Sequence, residues 1–269
     1  MNRKLVFRSI GGYTLVEVLI AAVIAAFAIG AGMELFVNQS KHHHIQAGIS
    51  DMQQNGRAAV DELVGKIRRA GYRLPIGVPA LVSWDTNPDT IAISFLAEPL
   101  CTASLSHPMP QPSSELKCVG CDLSCYEDDT WAYIYDPVVD SGEFFFITHV
   151  QQGAMHIQHN LAPLSKKYNA GAQIFLLERK KYYINEGDTL HPMMMVEEIG
   201  HNPEIYADNI EDLQFQYVMA DGSVSDTISV DRYVREVHIS VFARTARYDL
   251  LLDNYRRETF ATRVRVRNL

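Results

Sequence analysis

Residues 11–36 read GGYTLVEVLIAAVIAAFAIGAGMELF, and the fold turns on how this stretch is read. From Tyr13 to Val37 the only ionisable side chains besides the tyrosine are Glu17 and Glu34. About 20 apolar residues span the hydrocarbon core of a bilayer, so the run is long enough to cross one. An acid near the middle of a membrane helix costs about 2.5–3.5 kcal/mol on insertion scales, and such a residue normally has a partner. Glu17 therefore needs an explanation.

Outward from the run, residues 1–12 carry Arg3, Lys4 and Arg8 and no acid, whereas the 269-residue chain has a net charge of −8. Positive charge concentrated just before an apolar helix predicts a cytoplasmic N-terminus and export of the chain beyond the helix. The acidic remainder argues against a nucleic-acid partner. A composition of 47% hydrophobic and 21% charged residues is that of a globular protein.

The N-terminus admits three readings. A secretory signal would place its small-residue cleavage site after the apolar core, yet Ala26-Phe27-Ala28 lies inside it. An uncut signal anchor fits the length and leaves Glu17 unexplained. A cut between Gly12 and Tyr13 explains it: the new α-amine lies one helical turn before Glu17, at a spacing where helix neighbours meet. The amine, from the same chain or an adjacent one, then neutralises the carboxylate. The helix N-terminus also favours a negative charge. Glu17 becomes a registry device in an apolar bundle.

Gly12-Tyr13-Thr14-Leu15-Val16-Glu17 after a short basic leader closely resembles the class III signal of type IV pilins and pseudopilins. That resemblance implies a prepilin peptidase that cuts after Gly12 and methylates the amine of Tyr13. It also implies that Glu17 guides assembly into a helical filament. Tyr13 stands where the family most often has Phe.

Past the apolar run, Ile49, Met52, Gly56, Val60, Leu63, Ile67 and Ala70 recur at steps of three and four, which predicts one apolar stripe on a polar helix. Gly71 and Pro75 supply stop signals. A continuous helix from Tyr13 to Ala70 would have about 58 residues and run roughly 87 Å. Its parts are a membrane or filament-core segment, 13–37, and an amphipathic continuation, 38–74. A bend or local melting is expected near Gly30–Gly32, since glycine weakens a helix.

From residue 75 to 269 the pattern is that of strands: Thr90–Leu96, Trp131–Tyr135, Glu143–Val150, Ile174–Ile184, Leu213–Met219 and Val237–Ala243 are rich in β-branched and aromatic residues. Asp221-Gly222 marks a hairpin turn. Val264 and Val266, alternating with Arg263, Arg265 and Arg267, predict a half-buried strand with a basic outer face. The arginines read as edge protection or as a contact for an acidic neighbour. The fold class expected is α+β: a long N-terminal helix packed on an antiparallel, sheet-rich head, which again resembles pilins.

Further segments resemble the PilW type of minor pilin: Asn55-Gly56-Arg57-Ala58, Arg68-Arg69-Ala70-Gly71-Tyr72-Arg73, Ile210-Glu211-Asp212-Leu213-Gln214, Val234-Arg235 with His238-Ile239-Ser240, and Val266-Arg267-Asn268. The segment at about 98–130 has no counterpart in that resemblance and reads as an insertion. It holds all four cysteines, Cys101, Cys118, Cys121 and Cys125.

Asp122 replaces the His that a c-type haem would need after Cys118-Val119-Gly120-Cys121. Four thiolates would suit zinc, and a thioredoxin-like role needs a βαβ setting that the pattern lacks. Two structural disulfides, pairing open, are the simplest expectation in an exported chain. Lys41-His42-His43-His44 reads as a polar collar beyond the membrane, because consecutive helical residues diverge. Asp85, Asn87 and Asp89 are spaced like the start of a calcium loop without its glycine and distal glutamate, and a turn at Asn87-Pro88 between strands is the better reading. Met193-Met194-Met195 reads as alternate packing in a strand or as an adaptable surface.

No Ser elbow, HExxH or P-loop occurs, so neither an enzyme, a cofactor nor a metal is expected. The resemblance implies a minor pilin that helps initiate a type IV pilus, low-copy at or near its tip. It would wait as a single-pass inner-membrane protein with a periplasmic head, then reach the cell surface. Implied partners are the prepilin peptidase, other minor pilins, the major pilin, a tip adhesin and, before assembly, inner-membrane lipid. The rivals are a J-type minor pseudopilin of type II secretion and a membrane-anchored periplasmic enzyme or binding protein.

Overall fold

A computed structural model describes residues 14–75, 78–96, 101–159, 163–185, 187–249 and 252–269. The chain falls into two compact units, Met1–Ser50 and Asp51–Leu269. One helix, α1 (Leu15–Arg69), supplies the described part of the first unit and opens the second.

In the first unit α1 presents its apolar residues outward: Leu19, Ile24, Phe27 and Phe36 are all exposed. Among the described residues α1 alone is long and apolar enough to cross a membrane, with a mean hydropathy of 2.4 over its most apolar window. The helix is unbroken through Gly30 and Gly32, and nothing lies within 4 Å of the position a Cβ would take at either. The local melting expected there is not present, since the helical ladder continues through both glycines.

In the second unit α1 buries Met52, Gly56, Ala59, Leu63 and Ile67. Ala59 takes the place expected for Val60, which stays half-buried, because the stripe steps by three and then four after Gly56. Full burial of Met52, Leu63 and Ile67 contributes roughly 1.5–3 kcal/mol each. Gly56 permits close approach: a Cβ there would run into the ring of Phe260. Glu62 accepts the Tyr182 hydroxyl at 2.6 Å, and the Arg69 guanidinium sits 4.3 Å from the centre of the Phe95 ring. Gly71 ends the helix with φ +78°. The Nδ2 amide of Asn268 donates to the carbonyls of Arg68 and Ala70, each at 3.3 Å, satisfying two otherwise orphaned acceptors.

The strands fall into groups in chain order. The first comprises β1 (Leu81–Trp84) and β2 (Thr90–Leu96). The second comprises β3 (Thr102–Ser104), β4 (Leu116–Lys117), β5 (Thr130–Asp136), β6 (Ser141–Ile147), β7 (His149–Gln151), β8 (His156–Gln158) and β9 (Gln173–Phe175). Then come β10 (Leu177–Asn185), β11 (Met193–Glu198) and β12 (Glu204–Asp208). The last are β13 (Ile210–Met219), β14 (Val224–Ser225), β15 (Val234–Arg244) and β16 (Arg257–Arg265). A five-stranded sheet runs β1-β2-β10-β11-β12 and a four-stranded one β14-β13-β15-β16. Every pairing in them is antiparallel. The layout is therefore α+β, with a long apolar helix and an antiparallel, sheet-rich globular part.

The expected strands at Glu143–Val150 and Ile174–Ile184 are each interrupted, at Thr148 and Leu176, so that β6 and β7, and likewise β9 and β10, enter different sheets. Asp221-Gly222 does turn the chain between β13 and β14, with the Gly222 amide donating to the Met219 carbonyl at 3.0 Å. In β16, Val264 is buried while Arg257, Arg263 and Arg265 face outward.

Leu96 at the end of β2 lies directly opposite Leu177 at the start of β10. Everything between them is an excursion from one sheet that returns to the point where it left. It builds two sheets of its own, β3-β9-β5-β6 and β4-β8-β7, around a separate core that includes Cys101, Cys118, Tyr126, Ile134, Phe145, Ile157 and Ile174. The excursion is longer than the cysteine segment of about 98–130, because β9, far along the chain, pairs with both β3 and β5. Val78, Leu96, Tyr133, Tyr135, Phe175 and Leu177 form an apolar cluster at its root.

Candidate functional site

The helix start positions the acid. Thr14 precedes α1, and its backbone amide donates to Glu17 Oε2 at 2.9 Å. Its hydroxyl lies 3.0 Å from the same oxygen and accepts the Glu17 amide at 3.3 Å. Thr14-Leu15-Val16-Glu17 is thus a capping box, in which the threonine and the acid satisfy each other's amides. This partner was legible in the pattern of Thr followed three residues later by Glu. Glu17 is exposed, as are all the residues from Thr14 to Gln39, so its carboxylate stands in the first turn of an apolar helix. Chemically, such a group can accept a second, cationic donor. Residues 1–13, where the leader 1–12, the cut between Gly12 and Tyr13 and the methylated amine are expected, lie outside the described residues.

Thr14→Val is expected to weaken the first turn of the helix by about 1 kcal/mol, the usual value of an N-cap. Faster amide exchange confined to the first turn, in detergent micelles, would show it; unchanged exchange would mean that the box contributes nothing.

The cysteines part company. Cys101 and Cys125 form a disulfide, with Cα atoms 6.1 Å apart. Cys118 and Cys121 are thiols, the first buried and the second half-buried. Where two bridges were expected, one is present. It ties the start of β3 to the loop that precedes β5.

The calcium-like spacing is broken up. Asp85 and Asn87 are exposed, while Asp89 is only 4% exposed. Asp89 Oδ2 accepts the Phe215 amide at 2.8 Å, and its own amide donates to the Leu213 carbonyl at 2.9 Å. Asp89 thereby pins the β1–β2 connection to β13. Among the described residues its Oδ1 has no partner. Burial raises the Asp89 carboxyl above its ordinary value; the Phe215 amide opposes this, and Asp85, Asp212 and Asp226 add to it. A carboxyl raised by folding holds its proton more tightly in the folded chain, so the stability it contributes is full below its ordinary value and is lost as pH climbs through the folded one. Asp89→Asn, a permanent stand-in for the protonated acid, is expected to be the more stable form above roughly pH 5, with the advantage shrinking towards pH 3. Urea midpoints across that range test this, and a variant less stable at pH 8 would refute it.

The remaining sequence candidates gather no set of three metal-ligating side chains among the described residues. His42, His43 and His44 are all exposed on α1, and the rings of His43 and His44 meet edge to face at 6.2 Å. In β11, Met194 is buried and Met193 and Met195 are half-buried, the alternation of a packed strand. The resemblance-bearing segments converge within the second unit. Gly71 is covered by Asn268, the Val266 amide donates to the Arg235 carbonyl at 3.1 Å, and Gln214 pairs with Ser240 across β13 and β15.

No protein-family model matches the chain, and no curated protein matches it at a significant level.

Proposed function

We propose that this chain is a type IV pilus minor pilin of the PilW type, acting in initiation and assembly and placed in few copies at or near the tip. One observation carries the reading: an exposed apolar helix whose acid, Glu17, sits in its first turn, shortly after Gly12 and Tyr13 and a basic leader. The mature chain waits in the inner membrane with its N-terminus cytoplasmic and its head periplasmic. Assembly transfers the apolar helix from lipid into an equally apolar bundle of other minor pilins and the major pilin. In that bundle Glu17 exchanges lone exposure for a neighbour's α-amine. A head as bulky as Asp51–Leu269 suits an end position better than repeated packing along a shaft, and a tip adhesin is the natural further partner.

The decisive measurement is the intact mass and N-terminal peptide of the protein from native membranes. A chain beginning at N-methylated Tyr13 supports the filament-subunit reading. A chain beginning at Met1, or after Ala28, overturns it and returns the head to study as an anchored enzyme or binding protein. Immunogold labelling of sheared pili then separates pilus from secretion pseudopilin, which keeps the same leader and acid and would leave every pilus unlabelled.

A further inference from the structure

Cys118-Val119-Gly120-Cys121 is a tight turn. The Cys121 amide donates to the Cys118 carbonyl at 3.0 Å, and Gly120 has the positive φ, +91°, that the third position of a type II turn requires. The turn is held from outside. The Cys118 amide donates to the Met155 carbonyl at 2.8 Å, the Val119 amide to Ser106 Oγ at 3.2 Å, and the Gly120 amide contacts Met155 Sδ at 3.0 Å. A β-turn keeps its end Cα atoms within about 7 Å. A disulfide spans about 4.4–6.8 Å between Cα atoms. The turn therefore holds the two Cα atoms within the span a disulfide needs, on a backbone already fixed.

Their surroundings differ. Cys118 is wholly buried in the excursion's core, its Sγ directed at the Leu116 carbonyl. Cys121 is half-buried at the edge of that core, and its Sγ receives the Ser104 amide at 3.3 Å. Cys121 is thus the sulfur an external reagent can reach, while burial shields the Cys118 sulfur and withholds negative charge from it.

We propose that Cys118 and Cys121 are a thiol-oxidation site with a fixed order: Cys121 is the entry thiol, and Cys118 resolves it to a second, Cys118–Cys121 disulfide. The oxidant is a disulfide, of a small molecule or of a disulfide-donating protein. In the first step Cys121 loses its proton and attacks one sulfur of the oxidant. A mixed disulfide forms, and the departing thiolate takes up the proton. In the second step Cys118 loses its proton and attacks Cys121 Sγ, closing the turn and expelling the second thiolate, which is protonated in turn. Two protein thiols are oxidised and one external disulfide is reduced to two thiols. Burial, with a smaller contribution from Cys121, pushes the Cys118 thiol up to about 12, in keeping with its place as the second sulfur to react. The chemistry does not depend on the filament reading.

The test uses the full-length protein in detergent with the Cys101–Cys125 bridge intact. Oxidised glutathione is added at pH 8, and aliquots are alkylated and peptide-mapped over time. We expect a glutathione adduct on Cys121 that rises first and then decays as a Cys118–Cys121 disulfide appears. Cys118→Ser should arrest the sequence at the Cys121 adduct, and Cys121→Ser should leave Cys118 unmodified until denaturant is added. An adduct appearing first on Cys118, no adduct or bridge on either after prolonged exposure, or exchange into the Cys101–Cys125 bridge would overturn the proposal. The wild-type time course decides this even if a variant folds poorly.

Discussion

Glu211→Ala is expected to destabilise the globular unit by about 3–5 kcal/mol, the usual cost of removing one partner from a buried ion pair. The partner stranded by this change is Arg244, whose side chain is only 6% exposed. Its Nη1 lies 3.3 Å from Glu211 Oε1, and its Nη2 donates to the Leu190 carbonyl at 2.6 Å. Its guanidinium carbon stacks 4.0 Å from the centre of the Tyr255 ring. Glu211 also grips Arg257 through two bonds, at 2.6 and 3.1 Å. One carboxylate therefore balances two guanidinium groups, one of them out of water. Without it Arg244 keeps its carbonyl contacts and loses its only counter-charge among the described residues. Arg257, about half exposed, is the internal control: Arg257→Ala should cost no more than about 1 kcal/mol, as surface pairs do. Urea unfolding followed by the fluorescence of Trp84 and Trp131 measures both. A Glu211→Ala variant within 1 kcal/mol of the parent would show that Arg244 finds another partner or water.

Glu211 also illustrates how far the sequence could be read. Leu213–Met219 was recognisable as a strand and Ile210–Gln214 as part of a resemblance, but the tie of Glu211 to Arg244, far along the chain, was not. Local signals carried well. The three-and-four stripe located the buried face of α1, and Thr90–Leu96 matches β2 residue for residue. The glycine at position 71 stopped the helix where a left-handed residue was needed. Errors arose where the deciding contact is remote in sequence. The excursion's extent depends on the pairing of Leu96 with Leu177, and no local pattern announces a pairing across eighty residues. Strand propensity runs smoothly through Leu176 although the chain changes sheets there, because propensity reports fit to a pleated surface and not which sheet supplies it. The cysteines show the same limit. Their number suggested two bridges, whereas pairing depends on which Cα atoms the fold brings within reach.

On the minor-pilin reading proposed above, Glu17→Ala is expected to abolish, or reduce at least tenfold, incorporation of the chain into pili while leaving leader cleavage and head folding intact. An isolated helix does not need this acid to be stable beyond its capping box, worth about 1 kcal/mol. In lipid it brings no gain, and because it lies near the end of the span its cost falls short of the roughly 2.5–3.5 kcal/mol of an acid at the helix centre. A filament core made of apolar helices offers it one strong interaction, a cationic amine, and a charge-assisted hydrogen bond is worth about 1.5–3 kcal/mol. At about 1.4 kcal/mol per factor of ten, its loss lowers occupancy roughly ten- to a hundredfold per subunit. Glu17→Gln separates this role from the cap. The amide oxygen can still accept the Thr14 amide, so a purely local function would survive the change. A function resting on charge would fail in Glu17→Gln as completely as in Glu17→Ala. The readout is the amount of each variant in sheared filaments relative to membranes, with Thr14→Val as the matching loss of the cap alone. Normal incorporation of both Glu17 variants would remove the assembly role and leave the acid as nothing more than the first turn's capping group.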